Sequence, residues 1–418
     1  MKLTMCIVLF TMFFLSACGG GSGGESDGGG GSGGESDGGG GSTNGPIPDN
    51  YSATSLFDNR ITSIALAENS EDIYVAGIFE NYKGTGSSGI VRLNRDGSID
   101  TGFNVGSGFV SSPYAVVASA IDGSDDVYVG GSYTTYNGTP INRIVRLNND
   151  GSIDTGFSVG SGFNGTVLSI APAVDGSGDV YVGGVFTTYN GTPVNRIVRL
   201  NNDGSIDTGF NVGSGFNADV YSIALAPDGS LYVGGDFTNY RGSAKNRIAR
   251  IHSNGDNDNT VFDVGTGFDG RVNSIVFASD GSGDLYAGGD FELYRGNNRP
   301  CIARINSDGS NDDSFNVGAG CTGYFRSIAV ATDGSGDTFA GGNFTTFRGN
   351  ARGRITRIKS DGSNDGNFGI SAGFNDFAII VIATTDGSGD ILVGGGFLMY
   401  DTTEVGYFAR LDSVGQLR

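Results

Sequence analysis

The sequence predicts an all-β fold, a seven-bladed β-propeller, from three observations. One phrase, typified by DVYVGGVF from Asp179 to Phe186, occurs seven times in tandem. Successive copies are 51 to 54 residues apart, a period typical of propeller blades. Each copy also divides into short segments rich in β-branched and aromatic residues, which Asp-Gly-Ser turns separate. No segment shows the apolar stripe of an amphipathic helix.

Residues 1–17 have the features of a secretory signal. Lys2 precedes an apolar run, Leu3–Leu15, that is too short to span a bilayer as a stable helix. The run leads into Leu15-Ser16-Ala17-Cys18, which resembles the lipobox of bacterial lipoproteins. That resemblance implies cleavage before Cys18 and acylation of this cysteine, which would hold the chain firmly on a membrane. Because Gly19 follows the cysteine, it also implies sorting to the outer membrane, with the cell surface as one destination. The alternative is an ordinary cleavage site with an incidental cysteine.

Residues 18–45 are predicted to be the lipidated cysteine and a flexible tether. The stretch contains GGESDGGGGS twice and nothing that can bury apolar surface. A chain of this composition reaches about 30 Å on average. Residues 46–418 are predicted to form the propeller.

Each copy holds four strand-like segments. In the third copy they are Val167–Ala171, Val180–Phe186, Arg196–Asn201 and Phe210–Phe216. The last copy lacks a complete fourth segment, and Tyr51–Phe57 aligns with the fourth segment Phe157–Phe163. We therefore expect the N-terminal strand to complete the last blade and close the ring, which removes exposed strand edges.

Two phrases, Ile99-Asp100-Thr101-Gly102-Phe103 and Ala224-Leu225-Ala226-Pro227-Asp228-Gly229, resemble the bacterial delta-60 β-propeller repeat when they are taken with the Val-Gly-Gly strands. Every copy matches that repeat to some degree. The copies are shorter than the family norm and lack the lysine of its Asp-Gly-Lys phrase. The resemblance implies the propeller fold and no general activity.

Composition restricts the function. The formal net charge of −20 opposes nucleic acid and anionic membranes as general partners, so membrane contact is expected through the lipid anchor alone. His252 is the single histidine of the sequence, which excludes a three-histidine zinc site and leaves it the sole histidine for a Ser-His-Asp triad. It follows a third strand at a position that is polar in other copies, so a turn residue is the simpler interpretation.

Four cysteines occur, and Cys6 and Cys18 belong to the signal and the lipid site. Cys301 stands where other copies have arginine, and Cys321 stands where other copies have phenylalanine. Both positions lie at the same end of a blade, so an exported protein is expected to join them in a disulfide. Two buried free thiols are the alternative.

Residues present in every copy are expected to be structural, because a ring needs the same joints in every blade. The arginine of the third strand is expected to hold the nearby Asp turn, and an aromatic residue is expected to pack under the loop between the second and third strands. The Asp turns are weak calcium candidates, because oxygen-rich turns can bind Ca²⁺. Their alternative role is to cap their own turns. The candidates in the third copy are Asp175, Asp179, Asp203 and Asp207. No other cofactor is expected.

Copies four to six depart from their neighbours in the loop between the second and third strands. Strand order places this loop on the face opposite the Asp turns, and here it carries basic and aromatic residues, which are favoured at binding sites. We call this set the basic sector: Tyr240, Arg241, Lys245, Arg247, Tyr294, Arg295, Arg299, Phe347, Arg348, Arg352 and Arg354. The alternative is that these charges only offset neighbouring acids.

Three functions are open from the sequence. The first is a tethered, monomeric, non-catalytic propeller that binds a protein or an acidic glycan through the basic sector. The second is an enzyme on an exported polymer with paired carboxylates in the central channel, although no catalytic motif marks such a pair. The third is a structural component of envelope assembly.

Overall fold

The computed structural model describes residues 57–67, 70–119 and 125–418. The signal, the tether, Cys18 and Tyr51–Leu56 of the predicted closing strand lie outside the described residues. Regular structure in the described part is entirely β. No helix among these residues is long and apolar enough to cross a membrane.

Each repeat forms an antiparallel sheet in which the second strand lies between the first and the third. The first strands are Ile61–Leu66, Pro113–Ala118, Val167–Pro172, Val220–Leu225, Arg271–Phe277, Cys321–Val330 and Ala378–Ala383. The second strands are Ile73–Gly77, Val127–Gly131, Val180–Gly184, Leu231–Gly235, Leu285–Asp290, Thr338–Phe347 and Ile391–Gly395. The third strands are Ile90–Leu93, Ile144–Leu147, Ile197–Leu200, Ile248–Ile251, Ile302–Ile305, Ile355–Ile358 and Phe408–Leu411.

Two-residue strands form small hairpins in the loop between the second and third strands. They are Asn81–Tyr82 with Thr85–Gly86, Thr135–Tyr136 with Thr139–Pro140, Thr188–Tyr189 with Thr192–Pro193, Asn239–Tyr240 with Ser243–Ala244, Leu293–Tyr294 with Asn297–Asn298, and Met399–Tyr400 with Thr403–Glu404. In the sixth repeat, Asn350–Ala351 pairs with the end of the long second strand, and in the second repeat Phe109–Val110 adds a third strand to the hairpin.

The Val-Gly-Gly phrase is required by two close approaches. In the third repeat, a side chain on Gly183 would collide with Val220 of the next repeat. A side chain on Gly184 would collide with the carbonyl oxygen of Thr166, beside a β-bulge in the first strand. The first glycine therefore allows neighbouring sheets to pack, and the second allows the bulge.

The first strands lie side by side in chain order. Each contacts the first strand of the next repeat, and Ala378–Ala383 of the seventh contacts Ile61–Leu66 of the first. One apolar cluster combines Ile61 and Ile64 with Leu392 and Phe408 of the seventh repeat. The described part of the chain thus brings its last sheet against its first.

Serine hydroxyls strengthen these contacts between first strands. The backbone N–H of Ile275 donates to Ser222 Oγ of the preceding repeat at 3.0 Å, and that of Val381 donates to Ser327 Oγ at 3.1 Å. Ser63, Ser169 and Ser274 accept an equivalent bond. In the second repeat, Ala115 occupies this position and has no hydroxyl to offer.

The expected fourth strand is wrong in its position. Ile206, which was assigned to a turn, bridges Leu200 at the outer edge of the third sheet. The following segment crosses to the next repeat, where Asn211 N–H donates to the Asn254 carbonyl at 3.0 Å and Phe216 bridges Tyr240. These segments are links between sheets, because their Gly-rich turns shorten them too much to pair along a strand.

The predicted closing strand is affected in the same way. Within the described residues, Phe57 bridges Tyr82 of the first repeat instead of extending the seventh sheet, and Leu417 holds the outer edge of that sheet by bridging Leu411. The Phe57 ring lies 5.9 Å from the Phe408 ring of the seventh repeat, between centroids. Phe57 therefore marks a joint between the last and first repeats, as Phe163 does between the second and third.

The repeated arginine and aromatic residues are structural, as predicted. Arg410 is almost fully buried and binds Asp386 at 2.7 Å and Asp390 at 2.8 Å. Tyr189 is fully buried and donates to the Gly204 carbonyl at 2.6 Å, which ties the hairpin to the third-strand turn. His252 follows a third strand, and its N–H donates to the Asp256 carbonyl at 2.9 Å within the turn.

Candidate functional site

The aromatic members of the basic sector are not available to a ligand. Tyr240, Tyr294 and Phe347 are fully buried. The Tyr240 hydroxyl donates to the Gly255 carbonyl at 2.7 Å, and Tyr294 donates to Gly309 at the same distance. These bonds also correct the expected geometry, since the loop between the second and third strands folds against an Asp turn instead of facing away from it.

The first arginine after each of these aromatics closes a hairpin turn. Arg241, Arg295 and Arg348 have φ values near +50°, as do Asn137 and Asn190 in the second and third repeats. Arg241 also binds Asp256 at 2.7 Å, whereas Arg295 and Arg348 donate to the carbonyls of Asp263 and Asn316.

The remaining cations of the basic sector also have partners inside the molecule. Lys245 is buried and donates to the Asp258 carbonyl at 3.0 Å, and Arg299 binds Asp313 at 2.8 Å. Arg247, Arg352 and Arg354 donate to the carbonyls of Phe268, Ala351 and Phe374. The alternative in which these charges serve neighbouring groups describes the sector better than a contact surface does.

The four calcium candidates do not form an oxygen cage. Arg199 lies between three of them, at 2.6 Å from Asp175, 2.9 Å from Asp179 and 3.2 Å from Asp207. Asp203 accepts the backbone N–H of Ser205 at 2.9 Å and caps its own turn. A guanidinium thus neutralises the carboxylates that a cation would need, and no cluster of metal-ligating residues occurs in the described ranges.

Cys301 and Cys321 form the disulfide expected from the sequence, with their Cα atoms 5.9 Å apart. Neighbouring repeats make the same joint without sulfur: Arg143 donates to the Phe163 carbonyl at 2.6 Å, and Arg354 donates to the Phe374 carbonyl at 2.9 Å. The disulfide therefore replaces a hydrogen-bonded clamp between two repeats.

A cavity of about 550 Å³ lies among the first strands and is lined by residues from every repeat. Its lining includes the residue at the bulge of each first strand. We call these residues the bulge ring: Thr62, Tyr114, Leu168, Tyr221, Asn273, Arg326 and Ile379. A bulge redirects the side chain of the extra residue, and here the cavity receives it.

Sequence analysis did not identify the bulge ring. The available signal was variation inside a repeated phrase. In copies such as Val167–Ala171 and Val220–Ala224 the apolar positions and the serine recur, whereas the residue before the serine changes from leucine to tyrosine, asparagine or arginine. A strand that keeps its packing residues and varies one position presents that position to something other than the core.

Arg326 is the exceptional member of the bulge ring. Its guanidinium makes no hydrogen bond or ion pair with any residue that the structure describes, unlike the clamped arginines above. Burial lowers the pKa of Arg326, whereas Tyr324 and Tyr221 raise it and Arg271 lowers it further. An arginine stays charged in proteins, so the cavity contains an uncompensated cation.

Tyr221 stands close to Arg326 and is held in place by a polar network. Its hydroxyl donates to Asp236 at 3.1 Å, and Arg271 binds the same carboxylate at 2.7 Å while lying over the tyrosine ring. Burial raises the pKa of Tyr221 to about 12, so the phenol is neutral at physiological pH. The network leaves a rigid aromatic face beside the cavity.

Asn273 precedes Arg326 in the bulge ring. It is 8% exposed, and its amide nitrogen donates to the Phe325 carbonyl at 2.8 Å. Its amide oxygen is buried and accepts no hydrogen bond within the described residues. A buried acceptor without a donor is costly, by about 1–3 kcal/mol, unless a ligand or water satisfies it.

The described lining of the cavity contains Arg60 and Arg326 and no aspartate or glutamate. The paired carboxylates that a polymer-processing enzyme would need in the channel therefore have no residues to form them here. A positive cavity in a chain of net charge −20 is instead suited to an anion.

The repeats were compared with known proteins. Six of the seven repeats match one β-propeller family. Its description is "Domain of unknown function (DUF5122) beta-propeller", and the matched residues are 72–103, 124–157, 176–210, 226–260, 279–315 and 384–417. No curated protein sequence matches the chain.

Two solved structures show the similarity of fold. The extracellular domain of BT4673 from B. thetaiotaomicron is 17% identical, with a TM-score of 0.50 over 82% of this chain. The chain spans 39% of that structure. The WD40 β-propeller domain of Doa1 is 14% identical, with a TM-score of 0.49 over 82% of this chain and 93% of that domain.

Proposed function

We propose that the chain is a non-catalytic binding module, a closed seven-bladed propeller that binds an acidic glycan in its central cavity. The observation that carries this proposal is the lining of the cavity, which has two arginines, several tyrosines and no carboxylate. The cavity has the size of a small-molecule site, about 300–1,000 Å³. The cavity replaces the basic sector as the binding site, because the residues of that sector are bound within the protein.

Closure of the ring is part of the proposal. It is supported by the contact between the first strands of the seventh and first repeats and by the apolar cluster that Phe408 shares with Ile61. It also fits the cavity, to which every repeat contributes. A ring closed within one chain leaves no blade edge for a second copy, so the module acts as a monomer.

The module is held on the membrane by lipid on Cys18, as a lipoprotein of the outer membrane whose tether lets the propeller reorient. The lipobox-like sequence and the Gly-rich stretch support this placement. The similarity to an extracellular domain agrees with an exported protein. An acidic polymer outside the cell would be within reach of the cavity.

Two variants of the full-length lipoprotein in detergent micelles test the site. Leu168→Trp together with Ile379→Trp fills the bulge ring at two positions without touching a charge. Arg241→Asn, Arg295→Asn and Arg348→Asn together give the basic sector the residue that the second and third repeats carry. Both proteins and the wild type are applied to an array of neutral and acidic glycans, with thermal unfolding as a check of folding.

We expect the wild type and the basic-sector variant to bind the same acidic glycans and the cavity variant to lose them. Loss in the basic-sector variant with retention in the cavity variant would contradict the proposal. Absence of glycan binding by the folded wild type, with saturable binding of a protein, would move the function to protein recognition. Turnover of a bound glycan would make the chain an enzyme.

A further inference from the structure

Arg326 requires a ligand with a negative group. Every third-strand arginine lies against aspartate, and the arginines of the basic sector donate to carbonyls or carboxylates. Arg326 has no such partner in the described part of the chain, although it is largely buried among Tyr221, Tyr324 and Asn273. The planar guanidinium can bind a carboxylate through two parallel hydrogen bonds.

Asn273 adds a second requirement. Its amide nitrogen is already engaged by the Phe325 carbonyl, which fixes the orientation of the amide and leaves the oxygen as a buried acceptor. Because Phe325 adjoins Arg326, this acceptor lies next to the cation. A ligand that fits both groups carries a hydrogen-bond donor, such as a hydroxyl, close to its carboxylate.

The surrounding side chains suit a sugar. Tyr114, Tyr221 and Tyr324 all line the cavity and present aromatic faces and phenol oxygens. Such amphipathic rings can pack against the C–H faces of a sugar while their hydroxyls bind its oxygens. Asn343 and Thr62 add further polar groups to the lining.

We infer that Arg326 and Asn273 form a hexuronate subsite, in which Arg326 binds the sugar carboxylate and Asn273 accepts a hydrogen bond from a neighbouring hydroxyl. This inference rests on the proposed function, since it names the acidic sugar that the cavity takes. A hexuronate at the end of a glycan and a free hexuronate share this chemistry.

Calorimetric titration of the full-length protein in micelles tests the subsite. The probes are sodium D-glucuronate, sodium D-galacturonate, D-glucose, sodium acetate and a short neutral peptide with a free C-terminal carboxylate. At least one uronate is expected to bind 10-fold or more tightly than glucose, acetate or the peptide. An unsaturated oligouronate that binds more tightly than the monosaccharide would identify a chain end as the ligand, and equal affinity would identify the free sugar acid.

Variants assign the roles. Arg326→Met removes the cation at matched length and should weaken uronate binding by about 10- to 100-fold while leaving the weak binding of glucose unchanged. Asn273→Asp places a carboxylate beside Arg326 and should abolish uronate binding with the arginine still present. Arg326→Lys, which keeps the charge without the planar fork, should give an intermediate affinity and protects the test should Arg326→Met fold poorly.

Several outcomes would overturn the subsite. Equal affinity for glucose and the uronates would remove the role of Arg326, and equal affinity for acetate would leave a general anion site. Tighter binding of the peptide would assign the cavity to protein ends. If the cavity-filling variant loses acidic glycans while Arg326→Met retains them, the subsite is wrong and the proposed function stands; if neither variant changes glycan binding, both are wrong.

Discussion

Arg410 and Arg326 are both arginines on strands, yet they are treated in opposite ways by the fold. Arg410 lies at the outer part of the seventh sheet, 2% exposed, with Asp386 and Asp390 within 2.8 Å. Arg326 lies on the innermost strand of the sixth sheet and has no charged partner among the described residues. The first position recurs in all seven repeats, whereas the second carries arginine once.

The difference separates structure from function within a repeated protein. A residue needed for every blade has to be satisfied inside each blade, because seven uncompensated charges would unfold the ring. A residue that occurs once can remain uncompensated, provided that a ligand meets it. Repetition of a charge therefore indicates a joint, and its isolation in a cavity indicates a site.

The largest effect is expected from breaking the repeated clamp. Arg410→Met leaves Asp390, which is fully buried, without its counter-ion, and should reduce the free energy of unfolding by about 3–5 kcal/mol. Denaturant unfolding followed by circular dichroism measures the change. Lys359→Met, at an exposed site on a neighbouring sheet, is the control. A loss below about 1 kcal/mol for Arg410→Met would contradict the clamp.

The same clamp sets the dependence of stability on pH. Burial would raise the pKa of Asp386, but hydrogen bonds from Ser388 and Arg410 outweigh burial and hold the pKa well below its usual range. A carboxyl group with a depressed pKa in the folded state contributes its stability above the unfolded pKa, about 4, and loses it as the pH falls further. We expect constant stability from pH 8 to 5 and a decline below pH 4. A decline that begins near pH 6 would point to another group.

The disulfide offers a sharper comparison, because two chemistries make the same joint. Cys301→Ala with Cys321→Ala should cost about 3 kcal/mol, the value for a closed loop of this length. Cys301→Arg with Cys321→Phe restores the residues of the other repeats and should recover part of that loss. Thermal unfolding of both double variants decides the matter. Equal stability of the two would show that the arginine clamp adds nothing at this joint.

A smaller effect is expected at the serine bridges between first strands. Ser222→Ala leaves the backbone N–H of Ile275 without its acceptor and should cost about 1 kcal/mol. Ala115→Ser supplies the missing hydroxyl in the second repeat and should stabilise by a similar amount. The exposed Ser214→Ala provides the control for the loss of a hydroxyl. If Ser222→Ala matches this control, the bridges do not stabilise the ring.

The smallest effect is expected in the basic sector. Arg241→Asn, Arg295→Asn and Arg348→Asn replace one left-handed turn residue with another that tolerates this conformation, so each should change stability by about 0.5 kcal/mol or less. Isothermal denaturation of the single variants is sufficient. A loss above about 2 kcal/mol in any of them would mean that its carbonyl contacts hold the turn.

Sequence reasoning identified the repeat, three strands of each sheet, the buried arginines and aromatics, and the cysteine pair. These features follow from periodicity and from comparison between copies. The position of Phe210–Phe216 was wrong because alternation of apolar residues does not tell a fourth strand from a link between sheets. The basic sector was wrong because sequence shows charge and not the carbonyls that receive it.

The bulge ring could not be predicted for a related reason. In an undistorted strand, Arg326 would point to one face of the sheet, like any residue of its parity. The bulge opposite Gly342 turns it into the cavity instead. Bulges depend on close backbone approach, for which the second glycine of Val-Gly-Gly is the sole trace in the sequence.

Thermal unfolding of the wild type and Arg326→Met, each with and without saturating sodium D-glucuronate, tests the central claim most directly. The account predicts equal melting temperatures without ligand, because Arg326 holds no partner, and an increase with ligand in the wild type alone. A variant that melts well below the wild type without ligand would make Arg326 a structural residue. An equal increase in both proteins would place the ligand elsewhere.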